Sequence, residues 1–407
     1  MEIKSITLLG DKDNGKSTTI GSLMMLTNSV TDERVEEAKN ISRQLGRKFE
    51  PGFILDSFSE EREGGLTIDI TRAQILYKNH AFEFIDVPGH EEFIKNMISG
   101  ASYASSALLI VSAKRGEGVK EQTKRHVFIS RMLGIKNLVV AVNKMDSVGY
   151  RYAAFRDIEG ELLEFFERIG FDKKHVHFVP ISAYTGENLI SKSKNMKWYS
   201  GKTVIELLQG SNNANRRSDK KLRLLVQGAI NDNDKEHVIG KILSGKLGRG
   251  DTIKILPSGK VARVNGIIVR GKSLSNAKAG DNAMIMLDKN MDSKITGSVM
   301  CHLNDSIEPE NTISGLVFAA KPITKIVKIR INGAEIKCNK VMIDSAVETS
   351  TGLLFKEKKL KALNAANVRI ELDKKIVVDT FDNIKEMGRF VIQDSKGFAG
   401  FGIVTRL

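Results

Sequence analysis

The segment Leu9-Gly10-Asp11-Lys12-Asp13-Asn14-Gly15-Lys16-Ser17-Thr18 fits G-x-x-x-x-G-K-[ST], the pattern of a phosphate-binding loop. An apolar run, Ile3–Leu9, leads into it, and a helix-like segment, Lys16–Leu26, follows. Glycine lets the backbone turn its N–H groups toward phosphate oxygens, and the helix presents its positive N-terminus to the same anion. We predict that Lys16 reaches the β- and γ-phosphates of a nucleotide and that Ser17 binds Mg²⁺. The predicted cofactor-binding residues of this loop are Asp13, Asn14, Gly15, Lys16, Ser17 and Thr18.

Two further segments predict the rest of the phosphate and magnesium site. Thr67 lies within Glu61–Asp69, just before a strand-like run, where its hydroxyl can bind Mg²⁺ and sense the γ-phosphate. Asp86-Val87-Pro88-Gly89-His90 closes a strand and fits D-x-x-G. We expect Asp86 to hold Mg²⁺ through water and the Gly89 N–H to meet the γ-phosphate. The predicted metal ligands are therefore Ser17, Thr67 and Asp86.

A fourth segment, Asn143-Lys144-Met145-Asp146, closes another strand and predicts recognition of guanine. The Asp146 carboxylate can accept hydrogen bonds from the N1–H and 2-amino groups of guanine. Adenine lacks that pair of donors and would leave the carboxylate unsatisfied. Ser182-Ala183 is expected to offer backbone N–H to guanine O6. Asn143, Lys144, Asp146, Ser182 and Ala183 thus complete the predicted binding residues for GTP or GDP with Mg²⁺.

Charge is divided unequally along the 407 residues. Residues 1–210 carry 29 Lys and Arg against 28 Asp and Glu, whereas residues 211–407 carry 34 against 21. The excess predicts an anionic partner for the C-terminal half, with a solvated basic surface as the simpler alternative. Cys301 and Cys338 form no C-x-x-C pair, and no apolar run approaches the ~20 residues that span a membrane. We expect no disulfide framework, zinc site or membrane partner, and a cytoplasmic protein.

The apolar pattern changes once along the chain. Up to about residue 210, apolar runs alternate with amphipathic stretches, which is typical of a doubly wound, mainly parallel sheet covered by helices. The polar segment Gly210–Asp219 predicts a linker. Short strand-like runs with glycine turns follow, with a joint at Asp305–Asn311 and at most one short helix, Phe355–Ala362. The predicted architecture is an α/β P-loop GTPase domain, residues 1–210, followed by β-barrels at 220–304 and 312–407.

The segments Asp13–Thr18, Glu61–Asp69 and Asp86–His90 resemble those of translation-factor GTPases of the elongation factor Tu class. The resemblance covers the whole chain, because that class has a GTPase domain followed by two β-barrels. It implies that His90 positions the attacking water. From the motifs themselves we expect Lys16, and Mg²⁺ bound to Ser17 and Thr67, to stabilise charge on the transferred phosphoryl group.

The same resemblance singles out three more positions. It implies that Asp13 binds a monovalent cation near the phosphates. Lys12 departs from the class, where an apolar residue usually forms part of a gate beside the catalytic histidine, and Gly64 replaces a bulkier residue. Because a lysine cannot form an apolar gate, we expect its ammonium either to pair with Asp11 or Glu63 in solvent or to lean over the phosphates.

Two branches of this class compete. One carries aminoacyl-tRNA to the ribosome, and the other is the GTPase subunit of heteromeric sulfate adenylyltransferase, or ATP sulfurylase. The sulfurylase subunit couples GTP hydrolysis to adenylyl sulfate formation by a separate catalytic subunit. The segments that resemble the sulfurylase branch are Glu121–His126, Leu133–Asp146, Val148–Tyr150, Met196–Gly201 and Ile255–Gly259. In addition, Ile242–Gly245 lacks the acidic residue that the tRNA branch carries beside its aminoacyl pocket.

We therefore expect a sulfate adenylyltransferase subunit, in a hetero-oligomer with an adenylyl-transferring catalytic subunit. Aminoacyl-tRNA and the ribosome are the alternative partners. A GTP-dependent regulatory switch with neither role is a further alternative.

Overall fold

A computed structural model of the chain describes residues 3–44, 46, 48–55, 71–86, 106–210, 217–232, 235–290, 295–323, 325–357 and 359–406. The chain divides into two compact units, Met1–Asn213 with Glu348–Leu353, and Ala214–Val347 with Leu354–Leu407. The domain limits expected from the sequence, 1–210, 220–304 and 312–407, stay predictions. Within the described ranges, no helix is both long and apolar enough to cross a membrane.

A six-stranded sheet forms the centre of the first unit. Its order is β2-β3-β1-β4-β5-β6, in which β2 runs antiparallel to β3 and all other neighbours are parallel. The strands are β1 (Ile3–Leu9), β2 (Thr71–Tyr77), β3 (His80–Asp86), β4 (Ser106–Ser112), β5 (Asn137–Asn143) and β6 (Val176–Pro180). All seven residues of β4 are buried, as expected for a central parallel strand covered on both faces. The mainly parallel sheet predicted from the sequence is confirmed.

Five helices of the described chain belong to this unit. They are α1 (Lys16–Leu26), α2 (Asp32–Gln44), α3 (Glu121–Met132), α4 (Tyr152–Arg168) and α5 (Val204–Gly210). The sequence did not predict α2, which is highly charged and buries only Ala38 and Ser42. The sequence pattern also predicts a helix at Glu91–Ser99, which lies outside the described residues.

Parallel strands bring their carboxyl ends to one edge of the sheet. The phosphate-binding loop follows β1, and Asn143 ends β5, so both lie at this edge. Gly10 is required there, because its φ is +142° and a Cβ atom would lie 2.4 Å from the Ile110 carbonyl oxygen of β4. The sheet therefore fixes the loop against its central strand.

The first barrel is a closed antiparallel ring of six strands in the order β10-β15-β7-β8-β14-β11, with β12 added to β11. A separate two-stranded ribbon is formed by β9 and β13. The strands are β7 (Arg223–Asp232), β8 (Lys235–Ser244), β9 (Lys246–Gly248), β10 (Thr252–Leu256), β11 (Lys260–Val269), β12 (Lys272–Leu274), β13 (Asn276–Lys278), β14 (Asn282–Leu287) and β15 (Val299–His302).

The second barrel closes in the order β17-β21-β22-β16-β20-β18, with β19 added to β18. Its strands are β16 (Glu310–Ala319), β17 (Lys328–Ile331), β18 (Ala334–Val347), β19 (Leu354–Phe355), β20 (Ala365–Ile376), β21 (Arg389–Asp394) and β22 (Gly397–Arg406). The short helix allowed at Phe355–Ala362 is not found in the described part of that segment, where Phe355 pairs with Ala346 of β18. The predicted architecture, a GTPase-type sheet followed by two barrels, is confirmed.

The two barrels share a buried apolar cluster inside the second unit. Its fully buried members are Leu243, Leu256, Val299, Cys301, Val377, Ile384 and Met387. Beside it, Arg223 of β7 forms a bidentate salt bridge with Asp305, which lies in the joint between the barrels. The Nη1–Oδ2 and Nη2–Oδ1 distances are 2.7 and 3.2 Å. The Asp305 side chain is 3% exposed and also accepts the Ile307 N–H. A two-pronged buried ion pair therefore holds the joint against the first barrel.

Replacing Asp305 with Asn should destabilise the second unit by about 3 kcal/mol, because Arg223 would keep a buried charge without its carboxylate. Burial raises the pKa of Asp305, but the hydrogen bonds and charge of Arg223 outweigh burial and lower it. The stability from this pair is thus present above the unfolded carboxyl pKa and lost as pH falls through the lowered folded value. Urea unfolding, with hydrogen exchange of the barrel strands as the readout, measures the loss.

Asp344→Asn is the matched control, because Asp344 pairs with Arg369 at 3.0 Å while both side chains are about half exposed. That substitution should change the free energy of unfolding by less than about 0.5 kcal/mol. Equal effects of the two substitutions would show that the Arg223–Asp305 pair has no special role.

Candidate nucleotide-binding site

The phosphate-binding loop contains residues with positive φ angles, at positions where the sequence has residue types that adopt them. Asp13 and Gly15 have positive φ angles of 66° and 89°. A Cβ atom at Gly15 would lie 2.4 Å from Asn143 Nδ2, so a larger residue does not fit. The Asn14 side chain is buried and donates to the Ile110 carbonyl oxygen at 3.0 Å. Asn14 therefore holds the loop on β4, which is a structural use of that side chain.

The loop leaves a row of donors without acceptors. Helix α1 begins at Lys16, and its N-cap, Gly15, makes no side-chain cap. Within the described part of the chain, the backbone N–H groups of Gly15, Lys16, Ser17 and Thr18 meet no acceptor. Together with the helix dipole, four such donors form a site for an anion. This arrangement fits a phosphate group of the predicted nucleotide.

Lys16 lies over its own loop. Its Nζ donates to the carbonyl oxygens of Gly10 and Asp11 at 3.2 and 3.1 Å. The Asp11 carboxylate pairs with Lys120 at 3.1 Å and accepts the backbone N–H of Lys12 at 2.8 Å. The Lys12 side chain is exposed, and the expected pairing of its ammonium with Asp11 is not seen; Glu63 lies outside the described residues.

Asn143 connects the phosphate loop to the predicted guanine site. Its Nδ2 donates to the Asn14 carbonyl oxygen at 2.9 Å, and its Oδ1 accepts the Ala183 N–H at 2.9 Å. The residue is 2% exposed. The sequence assigned the Ala183 N–H to guanine O6, but here that group already donates to Asn143, so the O6 contact stays a prediction.

Asp146 is placed at the mouth of the site with one oxygen occupied. Its Oδ1 accepts the Ser182 hydroxyl at 2.6 Å, and Asp146 itself is exposed. No hydrogen bond to Oδ2 comes from any described residue. This orientation leaves a carboxylate edge for ligand donors, which is what reading of a guanine edge requires.

Lys144 has a partner that the sequence did not indicate. Its Nζ lies 2.7 Å from Glu117 Oε2, and Lys114 lies 3.3 Å from the other oxygen. Burial alone would raise the pKa of Glu117, but hydrogen bonds from Lys144, Ser112 and Lys114 lower it to about 2. Glu117 is thus ionised at neutral pH and fixes the direction of the Lys144 side chain.

The remaining predicted site residues are only partly visible. Asp86 ends β3 and is in register with Leu8 of β1, next to the phosphate loop, but its side chain lies outside the described atoms. Thr67, Gly89 and His90 lie outside the described residues altogether. The Ser17 hydroxyl forms no hydrogen bond with described residues, and its role as a ligand of Mg²⁺ stays a prediction.

A buried histidine of α3 that no motif indicated is affected by the charges of the phosphate-binding loop. His126 of α3 is 6% exposed, its Nε2 lies 3.0 Å from Gln122 Nε2, and its Nδ1 has no hydrogen-bond partner. Burial, and next the charge of Lys16, lower its pKa to about 4, while Asp11 acts in the opposite direction. His126 is therefore neutral at physiological pH. Its position on an amphipathic helix gave no signal that distinguished it from a core residue.

Comparison with known proteins identifies the family. Residues 1–228 match the model of the elongation factor Tu GTP binding domain, and residues 317–405 match the GTP-eEF1A C-terminal domain-like model. The chain belongs to the elongation factor Tu family of GTPases. Its cofactors are GTP or GDP with Mg²⁺, as the sequence predicted. The monovalent cation near Asp13 stays a prediction.

The similarity to individual relatives extends over nearly the full length. The elongation factor 1-alpha of Aeropyrum pernix is 33% identical over 418 residues, which cover 98% of this chain and 96% of the relative. The elongation factor 1-alpha of Sulfurisphaera tokodaii matches with the same identity and coverage. Among solved structures, Sup35 complexed with GDP is 21% identical with a TM-score of 0.45, covering 100% of this chain and 94% of that one.

The expectation of a sulfate adenylyltransferase subunit is wrong. The full-length relatives compared above are elongation factors, and the expected adenylyl-transferring partner loses its support as well. The segments that favoured it have other uses in this fold: Leu133–Asp146 includes the predicted guanine motif, and Ile255–Gly259 begins in β10 of the first barrel. Glu121–His126 opens α3, and Trp198 packs edge-on against Tyr152 and tilted against Phe155, with ring centroids 5.1 and 5.5 Å apart. In the first barrel, Leu243 is 2% exposed in the cluster between the barrels, which an acidic residue would disrupt.

The buried His126 predicts an acid sensitivity of the first unit. Between pH 6.5 and 4 the unfolded chain binds a proton that the folded chain excludes, so stability falls as pH is lowered through this range. The loss should approach 3 kcal/mol, at about 1.4 kcal/mol for each pKa unit of difference. His126→Gln should remove most of this pH dependence. Unfolding followed by Trp198 fluorescence at several pH values measures it.

His175→Gln is the control, because the His175 side chain is 51% exposed in the same unit. It should leave the pH dependence unchanged. If His126→Gln kept the full acid sensitivity, other groups would have to carry it.

Proposed function

We propose that this chain is an elongation-factor-like GTPase that binds aminoacyl-tRNA in its GTP form and releases it after hydrolysis. The observation that carries the proposal is the full-length match to elongation factor 1-alpha, which includes both barrels and not only the GTPase domain. The basic excess beyond residue 210, 34 cationic against 21 anionic residues, supports an RNA partner.

The guanine end of the nucleotide is assigned to Asn143, Lys144, Asp146, Ser182 and Ala183. In this assignment Asp146 accepts the N1–H and 2-amino donors through its open carboxylate edge, with Ser182 fixing its orientation. Lys144 lines the base pocket, and Glu117 holds it. Asn143 keeps the base pocket at a constant distance from the phosphate loop.

The phosphate end is assigned to the loop Asp13–Thr18. Its four free N–H groups and the Lys16 ammonium stabilise negative charge on the transferred phosphoryl group. Lys16 must leave its two carbonyl contacts to do so. Mg²⁺, when bound, neutralises charge on the phosphates, and Ser17, Thr67 and Asp86 are its proposed ligands.

Hydrolysis and switching are assigned to residues outside the described chain. His90 positions the attacking water, and Thr67 and the Gly89 N–H sense the γ-phosphate. Loss of those contacts after hydrolysis releases the two segments that carry them, Glu61–Asp69 and Asp86–His90. These roles rest on the motifs and on family membership.

The proposal is tested by binding of aminoacyl-tRNA to the protein loaded with a non-hydrolysable GTP analogue or with GDP. Protection of the aminoacyl ester from spontaneous hydrolysis gives the affinity. We expect the GTP form to bind more tightly by at least about ten-fold, the usual scale of coupling between two ligands. Equal affinities, or no protection in either form, would contradict the proposal, whereas GTP hydrolysis alone would not support it.

Asp146→Asn should change base preference. GTP affinity should fall by about 2–3 kcal/mol, because an amide cannot accept both guanine donors, and xanthosine triphosphate should gain affinity because its 2-oxygen suits an amide donor. Calorimetric titration of both nucleotides against both proteins measures the exchange. Asp157→Asn, on the exposed side of α4, is the control and should leave both affinities unchanged. Equally tight binding of ATP and GTP by the unaltered protein would overturn the base assignment.

A further inference from the structure

Strand β18 of the second barrel is unpaired along the middle of one edge. Its other edge pairs with β20 from Cys338 to Val347. On the first edge, β17 pairs with residues 334–337 and β19 pairs with residues 346–347. Between them, the backbone of residues 339–345 makes no hydrogen bond on this edge with any described residue. The edge is therefore open over about 20 Å, at roughly 3.3 Å per residue.

An unpaired strand edge is a template for another strand. Alternate residues of a strand direct their N–H and C=O groups to the same edge, so about half of the open residues present a donor and an acceptor there. The pairing register of β18 shifts between Cys338 and Lys340 and again between Ile343 and Ser345. Such bulges bend and twist the strand. The open stretch is thus suited to a short added strand and not to the long, flat edge of another sheet.

A cavity of about 430 Å³ lies along the open edge, within the size range of ligand pockets. Its β18 side includes Val341 and Ile343, which are half-buried against the barrel core. The facing wall comes from the segments before β17 and after β19, where the Ile323 N–H donates to the Leu360 carbonyl oxygen at 2.8 Å. Ile323 and Leu360 are 4% and 3% exposed. The cavity therefore has a fixed, apolar lining.

Cys338 also lines the cavity. Burial, and next the charge of Asp373, raise the pKa of its thiol to about 11. The thiol is therefore protonated at physiological pH and weakly reactive. Cys338 contributes to the apolar lining and gives the cavity no nucleophile.

Lysines supply the charge around the cavity. Lys325 and Lys340 are exposed and belong to its lining, and Lys337 is exposed on the same strand. In the described ranges of the chain, none of these three lysines forms an ion pair. Glu371 of β20 is in register with Lys340 without pairing to it, and Asp344 is already paired with an arginine of β20 at 3.0 Å. The cavity mouth therefore favours an acidic ligand.

We propose that the open edge of β18 binds an extended segment of a partner protein, in which apolar residues alternate with aspartate or glutamate. Main-chain hydrogen bonds add this segment to the sheet as a further strand. Successive side chains of a strand point to opposite faces, so the apolar ones enter the cavity and the acidic ones lie outward with Lys340. The net charge of +14 disfavours a second copy of this chain as the occupant.

Selection from a peptide library tests the chemistry of the occupant. Peptides of about nine residues, randomised at every position and displayed on phage, are selected on the immobilised full-length protein with GDP bound; this length spans the open edge. We expect the enriched peptides to alternate apolar and acidic residues. No enrichment, or enrichment of peptides without this alternation, would overturn the proposal.

Charge reversal locates the site, with the most enriched peptide as the probe. Lys325→Glu with Lys340→Glu should weaken its binding at least about ten-fold, because like charges then face each other. The control, Lys374→Glu with Lys375→Glu, changes exposed positions of β20 outside the cavity lining and alters the net charge equally. It should change the affinity by less than about two-fold at about 150 mM salt, where distant charges are screened. Fluorescence anisotropy measures both, and equal losses would overturn the proposal.

Two N-methylated peptides test the main-chain contacts on the unaltered protein, so that the folding of a variant does not enter. An added strand directs only every second N–H to its neighbour. Methylation of one alternate set of residues should abolish binding, whereas methylation of the other set should leave it nearly unchanged. Equal effects of the two sets would contradict strand addition.

Hydrogen exchange and sedimentation complete the test. The bound peptide should slow the exchange of backbone amides within residues 339–345, and unchanged exchange there would place the peptide elsewhere and overturn the proposal. A dimer of the free protein that the peptide dissociates would assign the edge to a second copy of the chain instead.

Discussion

The side-chain amide of Asn143 is the interaction on which the nucleotide site depends. It donates to the Asn14 carbonyl oxygen and accepts the Ala183 N–H, so one buried group joins the phosphate loop, the end of β5 and the loop after β6. Gly15 must lack a side chain because that amide occupies its space. In the proposed site, one frame of protein contacts therefore sets the distance between the residues assigned to the phosphates and those assigned to the base. Such preorganisation reduces the ordering needed on binding.

Much of this frame could be predicted from the sequence, because its constraints are local. The glycine pattern of Gly10 and Gly15 requires a particular backbone path, and the long apolar run Leu138–Val142 can only be a strand covered on both faces. Asp146 could be assigned to guanine from its motif, and in the structure its carboxylate accepts the Ser182 hydroxyl; its role toward guanine stays a prediction. The roles of Thr67, Gly89 and His90 stay predictions. The short strands β9 and β13 were missed because three residues carry no readable periodicity, and α2 was missed because its exposed, charged face dominates its sequence.

Other features could not be found because they depend on contacts between distant segments. Nothing near Glu117 indicates that it meets Lys144, which lies 27 residues further along the chain. His126 looks like any polar residue of an amphipathic helix until the fold buries it beneath Lys16. The expectation of a sulfate adenylyltransferase subunit was wrong for a related reason. Aromatic residues such as Trp198, which lies in a segment that resembles the sulfurylase branch, pack the GTPase domain. Relatives with different partners can share such packing.

The apolar cluster between the barrels also limits which domains can be exchanged between proteins of this kind. Leu243 and Val299 of the first barrel lie against Val377 and Met387 of the second, and Arg223 reaches into the joint to hold Asp305. In a chimera with one barrel from a distant relative, the apolar faces of the two barrels would not match. The buried charge of Arg223 or Asp305 would also lose its partner. Exchange of both barrels together avoids this cost. The pair of barrels is thus the smallest module that could be exchanged between such proteins without breaking these contacts.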